Sequence, residues 1–239
     1  MRRLTVVKHD CIALNTFAIV LKGAPQHKPG QFVNLSVPGD HFLKRPFSIA
    51  DQNGDEILLI YKVFGSGTKA LSEVKVGEQL DGLTCLGNGF TLKQHAHVYL
   101  IGGGVGIPPL YYLAKSLLKK NIELTIVLGF NKKAECFFID EFKALGKVVV
   151  TTMDGSNGIK GNVLEGVKNK AVDYYYAVGP TVMLKALTKD FRVGQVSLEE
   201  RMGCGFGACM GCSIKTKSGA QRVCKEGPVF EVEDMLWNV

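Results

Sequence analysis

The chain contains one tryptophan, Trp237, and no uninterrupted apolar run near the roughly 18 residues that a membrane span needs. Its longest apolar region, Val98 to Leu113, is broken by four glycines and two prolines, so no membrane partner is expected. Charge runs are missing as well. The formal net charge of +7 comes from dispersed lysines and arginines, with only short pairs such as Lys119-Lys120 and Lys132-Lys133. A nucleic-acid footprint would gather on one face or helix, so none is expected, and the excess reads as solvated surface with some attraction for phosphorylated cofactors. The five histidines lack metal-ligand spacing except His95-Ala96-His97, which on a strand would share one face and reads as solvent-facing at a domain junction. There is no nucleophile elbow, no paired carboxylate and no internal repeat, which leaves no evident site for an organic substrate. Met1-Arg2-Arg3 is basic, but the apolar run behind it is only Leu4 to Val7, too short for an export signal, so a reducing cytoplasmic location is expected.

What the chain does have is 239 residues, 46% apolar content and 28 glycines, the composition of a globular α/β protein. Up to about Gly89 the signals are short strands: Leu4 to Val7, Thr16 to Leu21, Gln31 to Val37, Pro46 to Ala50, Glu56 to Val63 and Gln79 to Leu86. Turn clusters such as Pro38-Gly39-Asp40 and Asn53-Gly54-Asp55 separate them, at the spacing of an antiparallel barrel or sandwich. After Gly87-Asn88-Gly89 the rhythm changes. Strands at His97 to Ile101, Ile122 to Leu128, Lys147 to Thr152 and Asp173 to Val178 alternate with helices starting near Pro108, Asp140, Gly161 and Thr181. That alternation predicts a parallel sheet wrapped on both faces. The resulting division is 1–92 for a β-barrel domain, 93–196 for an α/β nucleotide-binding domain and 197–239 for a C-terminal cysteine-bearing segment.

Four cysteines crowd that last segment: Cys204, Cys209, Cys212 and Cys224, spaced C-x4-C-x2-C-x11-C. The first three match the ligand spacing of plant-type [2Fe-2S] proteins, while the fourth is not at the usual distance. Small residues between them, Gly205, Gly207, Ala208 and Gly211, would let the backbone wrap a compact cluster. A structural zinc also takes four thiolates but favours two C-x2-C-like pairs, and disulfides would need an oxidising compartment. Cys11, Cys85 and Cys136 are scattered and read as small buried apolar residues.

Gly102-Gly103-Gly104-Val105-Gly106-Ile107-Pro108-Pro109 lies where a strand gives way to a helix. Glycines there admit a pyrophosphate to the backbone N–H groups, although Ile107 stands where the last glycine of the dinucleotide fingerprint would be. Gly179-Pro180 follows another strand on the same expected edge, where α/β sheets bind ligands. In the β-rich half, Arg45-Pro46-Phe47-Ser48 offers a guanidinium fork and a hydroxyl to a phosphate diester. Ile60-Tyr61-Lys62 ends a strand, with Tyr61 able to pack on a flat ring, and Gly67-Thr68 sits in a second glycine-bearing loop. A nicotinamide moves two electrons as hydride and an iron–sulfur cluster moves one at a time, so a chain holding both calls for a flavin between them. Arg45 and Ser48 are then its expected anchors.

Taken together these motifs resemble the ferredoxin-NADP reductase superfamily, with Arg45 to Ser48 as the flavin motif, Gly102 to Gly106 as the nicotinamide motif and Val178-Gly179-Pro180 where members often carry Cys-Gly-Pro. Within it, Cys204-Gly205-Phe206-Gly207-Ala208-Cys209-Met210-Gly211-Cys212 is similar to the electron-transfer subunits of type 1B dihydroorotate dehydrogenase, over essentially the whole chain. The resemblance implies FAD held by Arg45 to Ser48, Ile60 to Lys62, Gly67 and Thr68, one [2Fe-2S] cluster on the four cysteines, and NAD. It implies an FMN-containing dihydroorotate-oxidising partner in a heterotetramer of two subunits of each kind, serving pyrimidine (UMP) biosynthesis, with the C-terminal loop facing that partner. A reductase subunit for another partner (sulfide dehydrogenase-like or transhydrogenase-like) and a non-catalytic redox sensor are the alternatives. NAD against NADP stays open: Asn131, Lys132 and Lys133 could meet a 2′-phosphate, Glu135 a ribose hydroxyl.

Overall fold

The computed structural model describes residues 1–237. The last two residues of the segment expected over 197–239, Asn238 and Val239, lie outside the described residues. Six antiparallel strands, β1 (Arg2–Ala13), β2 (Thr16–Lys22), β3 (Phe32–Leu35), β4 (Arg45–Asn53), β5 (Glu56–Lys62) and β6 (Gln79–Leu86), close into a barrel in the order β1-β2-β5-β4-β3-β6. A short helix, α1 (Ser66–Leu71), bridges β5 to β6. The barrel closes because inward positions carry aliphatic side chains from every strand. Leu4, Ile19, Leu35, Ile49 and Leu59 are fully buried, and on β3 to β5 some outward positions, Phe32, Ala50 and Ile60, are buried as well.

The chain continues through β7 (His97–Gly103), α2 (Pro108–Leu118), β8 (Glu123–Phe130), α3 (Ile139–Lys143), β9 (Lys147–Thr152), β10 (Ile159–Lys160), α4 (Val163–Val167), β11 (Tyr175–Val178), α5 (Thr181–Asp190) and β12 (Gly194–Ser197). A hairpin, β13 (Ser213–Thr216) and β14 (Gly219–Arg222), and a final strand, β15 (Val229–Glu231), follow. The sheet order is β10-β9-β8-β7-β11-β12-β15, parallel except for the antiparallel edge β15. Every residue of β7 after His97 is buried, as expected of a strand covered on both faces. Pro108 and Pro109 open α2, where a missing N–H costs no intrahelical bond. The helix then buries Leu110, Leu113, Ala114 and Leu117, one stripe at helical spacing.

The sequence expectation of a barrel followed by an α/β sheet is met, with three local corrections. β1 runs on to Ala13, past the apolar stretch that marks its start, because Lys8 to Cys11 pair with β2, with Lys8, Asp10 and Cys11 exposed and His9 half-buried against Phe17 and Tyr61. Cys11 and Cys85 are exposed and not core residues; Cys85 stands at φ +55 in a bulged end of β6 that turns its thiol out. His95 and His97 do not simply face solvent, since His95 stacks on Tyr174 at 4.5 Å and His97 Nε2 is 2.9 Å from Thr125 Oγ1. The C-terminal segment is also sewn into the sheet, β15 pairing Val229 with Ser197 and Glu231 with Gln195.

Barrel and sheet are joined by two ion pairs, Lys115 to Asp51 at 2.6 Å and Lys62 to Glu135 at 3.0 Å, and by Tyr112 donating to the His27 carbonyl at 3.0 Å. Packing inside the barrel supplies the larger share of stability. Leu59→Ala is expected to cost about 2–5 kcal/mol, read as a lower urea midpoint, whereas Phe42→Ala at a fully exposed site should stay within about 0.5 kcal/mol. Equal effects at the two positions would contradict the packing argument.

Candidate functional site

A cleft of 260 Å³ opens between the barrel and the sheet. It gathers residues that the sequence separates widely: Arg45, Pro46, Phe47 and Ser48 from β4, Ile60, Tyr61 and Lys62 from β5, and Thr68 from α1. Antiparallel pairing makes this possible, because β4 and β5 are neighbours and α1 follows β5 directly. Gly67 completes the group from beneath. A Cβ there would stand 3.0 Å from Arg45 Nε, so the missing side chain lets the guanidinium lie flat across the turn, where its Nη1 donates to the Leu43 carbonyl. Thr68 is committed to its own loop: its hydroxyl oxygen accepts from the Phe64 and Gly65 amides at 2.9 and 3.3 Å and its proton goes to the Gly65 carbonyl.

Tyr61 is buried and stacks on Phe17 at 5.8 Å, with Phe47 at its edge, and its hydroxyl is 2.9 Å from His9 Nε2. Burial pushes its phenol well above the ordinary range, so it stays protonated and acts as an apolar wall. Lys62 turns to Glu135, which also accepts from Asn131 Nδ2 at 3.0 Å. Burial opposes the charge on Glu135, but Lys62 and Asn131 together hold its carboxyl below the usual range. The carboxylate considered for a ribose hydroxyl is thus engaged with the barrel.

The far wall comes from the sheet: Val105, Val178, and Ser197 to Glu200 with Met202 beyond β12. Sequence reasoning missed this last run, since a four-residue strand of mixed polarity carries no strong signal. Its position at the carboxyl edge, beside β11, was the available clue. On that edge Gly102 and Val178 are register partners, which sets the Gly102–Gly106 turn against Gly179-Pro180. Gly106 has no room for a Cβ, which would lie 2.7 Å from the Gly179 backbone, and Gly104 at φ +54 faces open space. Gly103 is covered by Met183 of α5. All six glycine and proline positions singled out for a nucleotide, Gly102, Gly103, Gly104, Gly106, Gly179 and Pro180, therefore sit on two adjacent strand ends.

The four cysteines fall into two pairs. The Cys209 amide donates to Cys204 Sγ and the Cys224 amide to Cys212 Sγ, each at 3.4 Å. The first pair is half-buried, the second fully buried. Among the described residues no three His, Cys, Asp or Glu side chains converge on one ion position. A two-iron cluster takes two thiolates per iron, and four cysteines in two neighbouring pairs fit that donor set. Burial opposes ionisation of Cys204, but the amides of Cys209, Phe206 and Ala208 outweigh it and bring the thiol to about 6. Burial and the neighbouring Cys212 push the Cys224 thiol up to about 12, so a bound cation must displace its proton.

Two asparagines tie this segment to the barrel and to the turn that leaves it. Asn34 of β3, paired with Pro46 across the barrel, donates to the Cys204 carbonyl at 3.4 Å, and a Cβ at Gly205 would overlap its amide. Asn88 donates to the Glu226 carbonyl at 2.7 Å and accepts from Val229 at 3.1 Å.

Comparisons with known proteins cover the whole chain. Residues 199–236 match the iron-sulfur cluster binding domain of dihydroorotate dehydrogenase B. The dihydroorotate dehydrogenase B (NAD(+)) electron transfer subunit of Geobacillus sp. (strain WCH70) is 43% identical, covering 98% of each chain, and that of Fusobacterium nucleatum is 41% identical, covering 97% of this chain and 96% of its own. Among solved structures, an NADH-dependent reduced ferredoxin-NADP oxidoreductase superposes with a TM-score of 0.90 at 31% identity, over 99% of this chain and 91% of that one. The Amycolatopsis cytochrome P450 reductase GcoB shares the fold alone, with a TM-score of 0.70 at 22% identity, over 80% of this chain and 65% of its own.

The unequal thiols give a direct check. In the metal-free chain, alkylation of Cys204 should be fast at pH 7 and fall as pH drops through about 6, because the thiolate is lost there, while Cys224 should resist up to pH 9. Peptide mapping by mass spectrometry reads both, and equal rates at the two sites would contradict the amide-donor account.

Proposed function

Since this chain belongs to the family of dihydroorotate dehydrogenase B electron transfer subunits, we propose that it carries electrons from the FMN of a dihydroorotate-oxidising catalytic subunit through a [2Fe-2S] cluster and FAD to NAD+, in pyrimidine (UMP) biosynthesis. The observation that carries this reading is the junction itself: a cleft between barrel and sheet, a glycine-lined strand edge, and paired cysteines tied to the barrel by Asn34. When bound, the cofactors would supply electron chemistry the side chains lack, the cluster passing single electrons and FAD collecting two of them with a proton as one hydride.

The protein's part is binding, orientation and exclusion of water. Arg45 offers its fork to the FAD phosphates, with Ser48 and Thr68 beside it; Pro46, Phe47, Ile60 and Tyr61 wall the isoalloxazine, and Gly67 keeps the guanidinium in place. Lys62, through Glu135, fixes the two domains that share the flavin. Gly102, Gly103, Gly104, Gly106, Gly179 and Pro180 receive NAD. Cys204, Cys209, Cys212 and Cys224 hold the irons. The four-cysteine loop faces the catalytic subunit, two of each chain form a heterotetramer, and the complex works in the cytoplasm; among the described residues no helix is long and apolar enough to cross a membrane. A reductase that serves another partner is the second reading, supported by the superposition on the ferredoxin-NADP oxidoreductase, but identity of 43% against 31% favours the first.

The test is anaerobic NAD+ reduction by dihydroorotate with the catalytic subunit present. Cys212→Ser should lower it by at least the roughly 10–100-fold that even outer-shell changes at metal sites cost, while NADH-driven reduction of an artificial dye persists. Arg45→Ala should weaken FAD by about 1.5–3 kcal/mol, the worth of a charged hydrogen bond, read by equilibrium dialysis. Undiminished electron delivery by Cys212→Ser would overturn the assigned route.

A further inference from the structure

Behind the four cysteines stands an ion pair to which no role has been given. Arg222, at the end of β14, donates from Nε to Glu226 Oε2 at 3.0 Å and from Nη2 to Glu226 Oε1, a two-point fork, and its own backbone N–H donates to the same carboxylate at 2.8 Å. The remaining arm, Nη1, donates to the carbonyl of Gly207. Gly207 lies between Cys204 and Cys209, in left-handed backbone at φ +90, with the Lys225 stem packed where a Cβ would go. Arg222 is also the cross-strand partner of Ser213, next to Cys212, and the Val223 amide donates to the Cys212 carbonyl at 3.1 Å. The guanidinium thus holds the loop of the outer cysteine pair, while the backbone of the same residue lies beside Cys212 and two positions before Cys224.

We propose that Arg222 and Glu226 act as a paired positioning device that sets the reduction potential of the cluster: Arg222 clamps the ligand loop and brings a positive charge to it, and Glu226 cancels most of that charge. The inference rests on the [2Fe-2S] reading above. Its physical basis is charge. Adding one electron adds one negative charge to the site, so an uncompensated cation beside it favours the reduced form and an uncompensated anion opposes it. The half-buried setting, with side chains 22% and 32% exposed, limits screening by solvent.

The test is a dye-equilibrated redox titration of the full chain, followed by the EPR signal of the reduced cluster. Glu226→Gln leaves Arg222 unopposed and should shift the reduction equilibrium about tenfold towards the reduced form, about 59 mV for one electron. Arg222→Gln should shift it the opposite way, and the double variant should return towards the unsubstituted protein. Glu226→Asp, which keeps the charge, should leave the potential in place, and it decides the matter if a glutamine variant fails to load iron. Shifts of the same sign in both single variants, no shift in either, or an Asp variant displaced as far as the Gln variant would overturn the proposal. Absence of any cluster signal from the unsubstituted protein would instead overturn the reading beneath it.

Discussion

Asn34 is fully inside the molecule, yet only its Nδ2 has a partner, the Cys204 carbonyl, and its Oδ1 has none. A buried amide left half-satisfied is costly, and the cost is met here by what the contact fixes. Through Asn34 the cysteine loop rests on β3, whose neighbour β4 carries Arg45 to Ser48. Asn88 fastens the other end of the same segment, at Glu226 and Val229, to the turn that leaves the barrel. Electron transfer needs a fixed separation between carriers, and these two asparagines, with β15 in the sheet edge, join the C-terminal cysteine-bearing segment to the frame of barrel and sheet.

The two-pair grouping of the cysteines has a matching asymmetry of burial. Cys212 and Cys224 are inside, against Val223 and the hairpin, and Cys204 and Cys209 are nearer the surface, beside the exposed Phe206 and Met210. On the proposed reading, electrons that enter through the surface pair would pass inward towards the cleft lined by Arg45 to Ser48. The glycine-lined strand edge proposed for NAD, Gly102 to Gly106 with Gly179, is set at the ends of β7 and β11. On the reading proposed above, cluster, FAD and NAD would follow one another around a single junction.

Much of this was legible in the sequence because it rests on local chemistry. Turn clusters marked the barrel strands, the strand–glycine–helix rhythm marked the sheet, and Lys147 to Thr152 and Gln79 to Leu86 have the boundaries that apolar patterning gave them. The cysteine spacing and Arg45-Pro46-Phe47-Ser48 set expectations for a cluster and a flavin, and the fold places Arg45 to Ser48 on the wall of one cleft. What escaped depends on distant parts of the chain. β12, β15 and the β13–β14 hairpin are three or four residues each and gain their order from pairing, not propensity. Ser197 to Glu200 line the cleft only because β12 ends at the same edge as β11. Glu135 looked free to meet a ribose and is instead held by Lys62 from the barrel, a partner 73 positions away in sequence and 3.0 Å away in space.

Iron, acid-labile sulfide and flavin determined together on one anaerobically purified sample, with its visible spectrum before and after dithionite, test the central claim most directly. Two thiolate pairs on one loop beside one flavin cleft predict roughly two irons and two sulfides per FAD, as a [2Fe-2S] centre requires, with flavin bands and a broad red-brown absorption that both bleach on reduction. A colourless protein holding a single zinc, or one that takes up flavin but no iron under reconstitution, would contradict it.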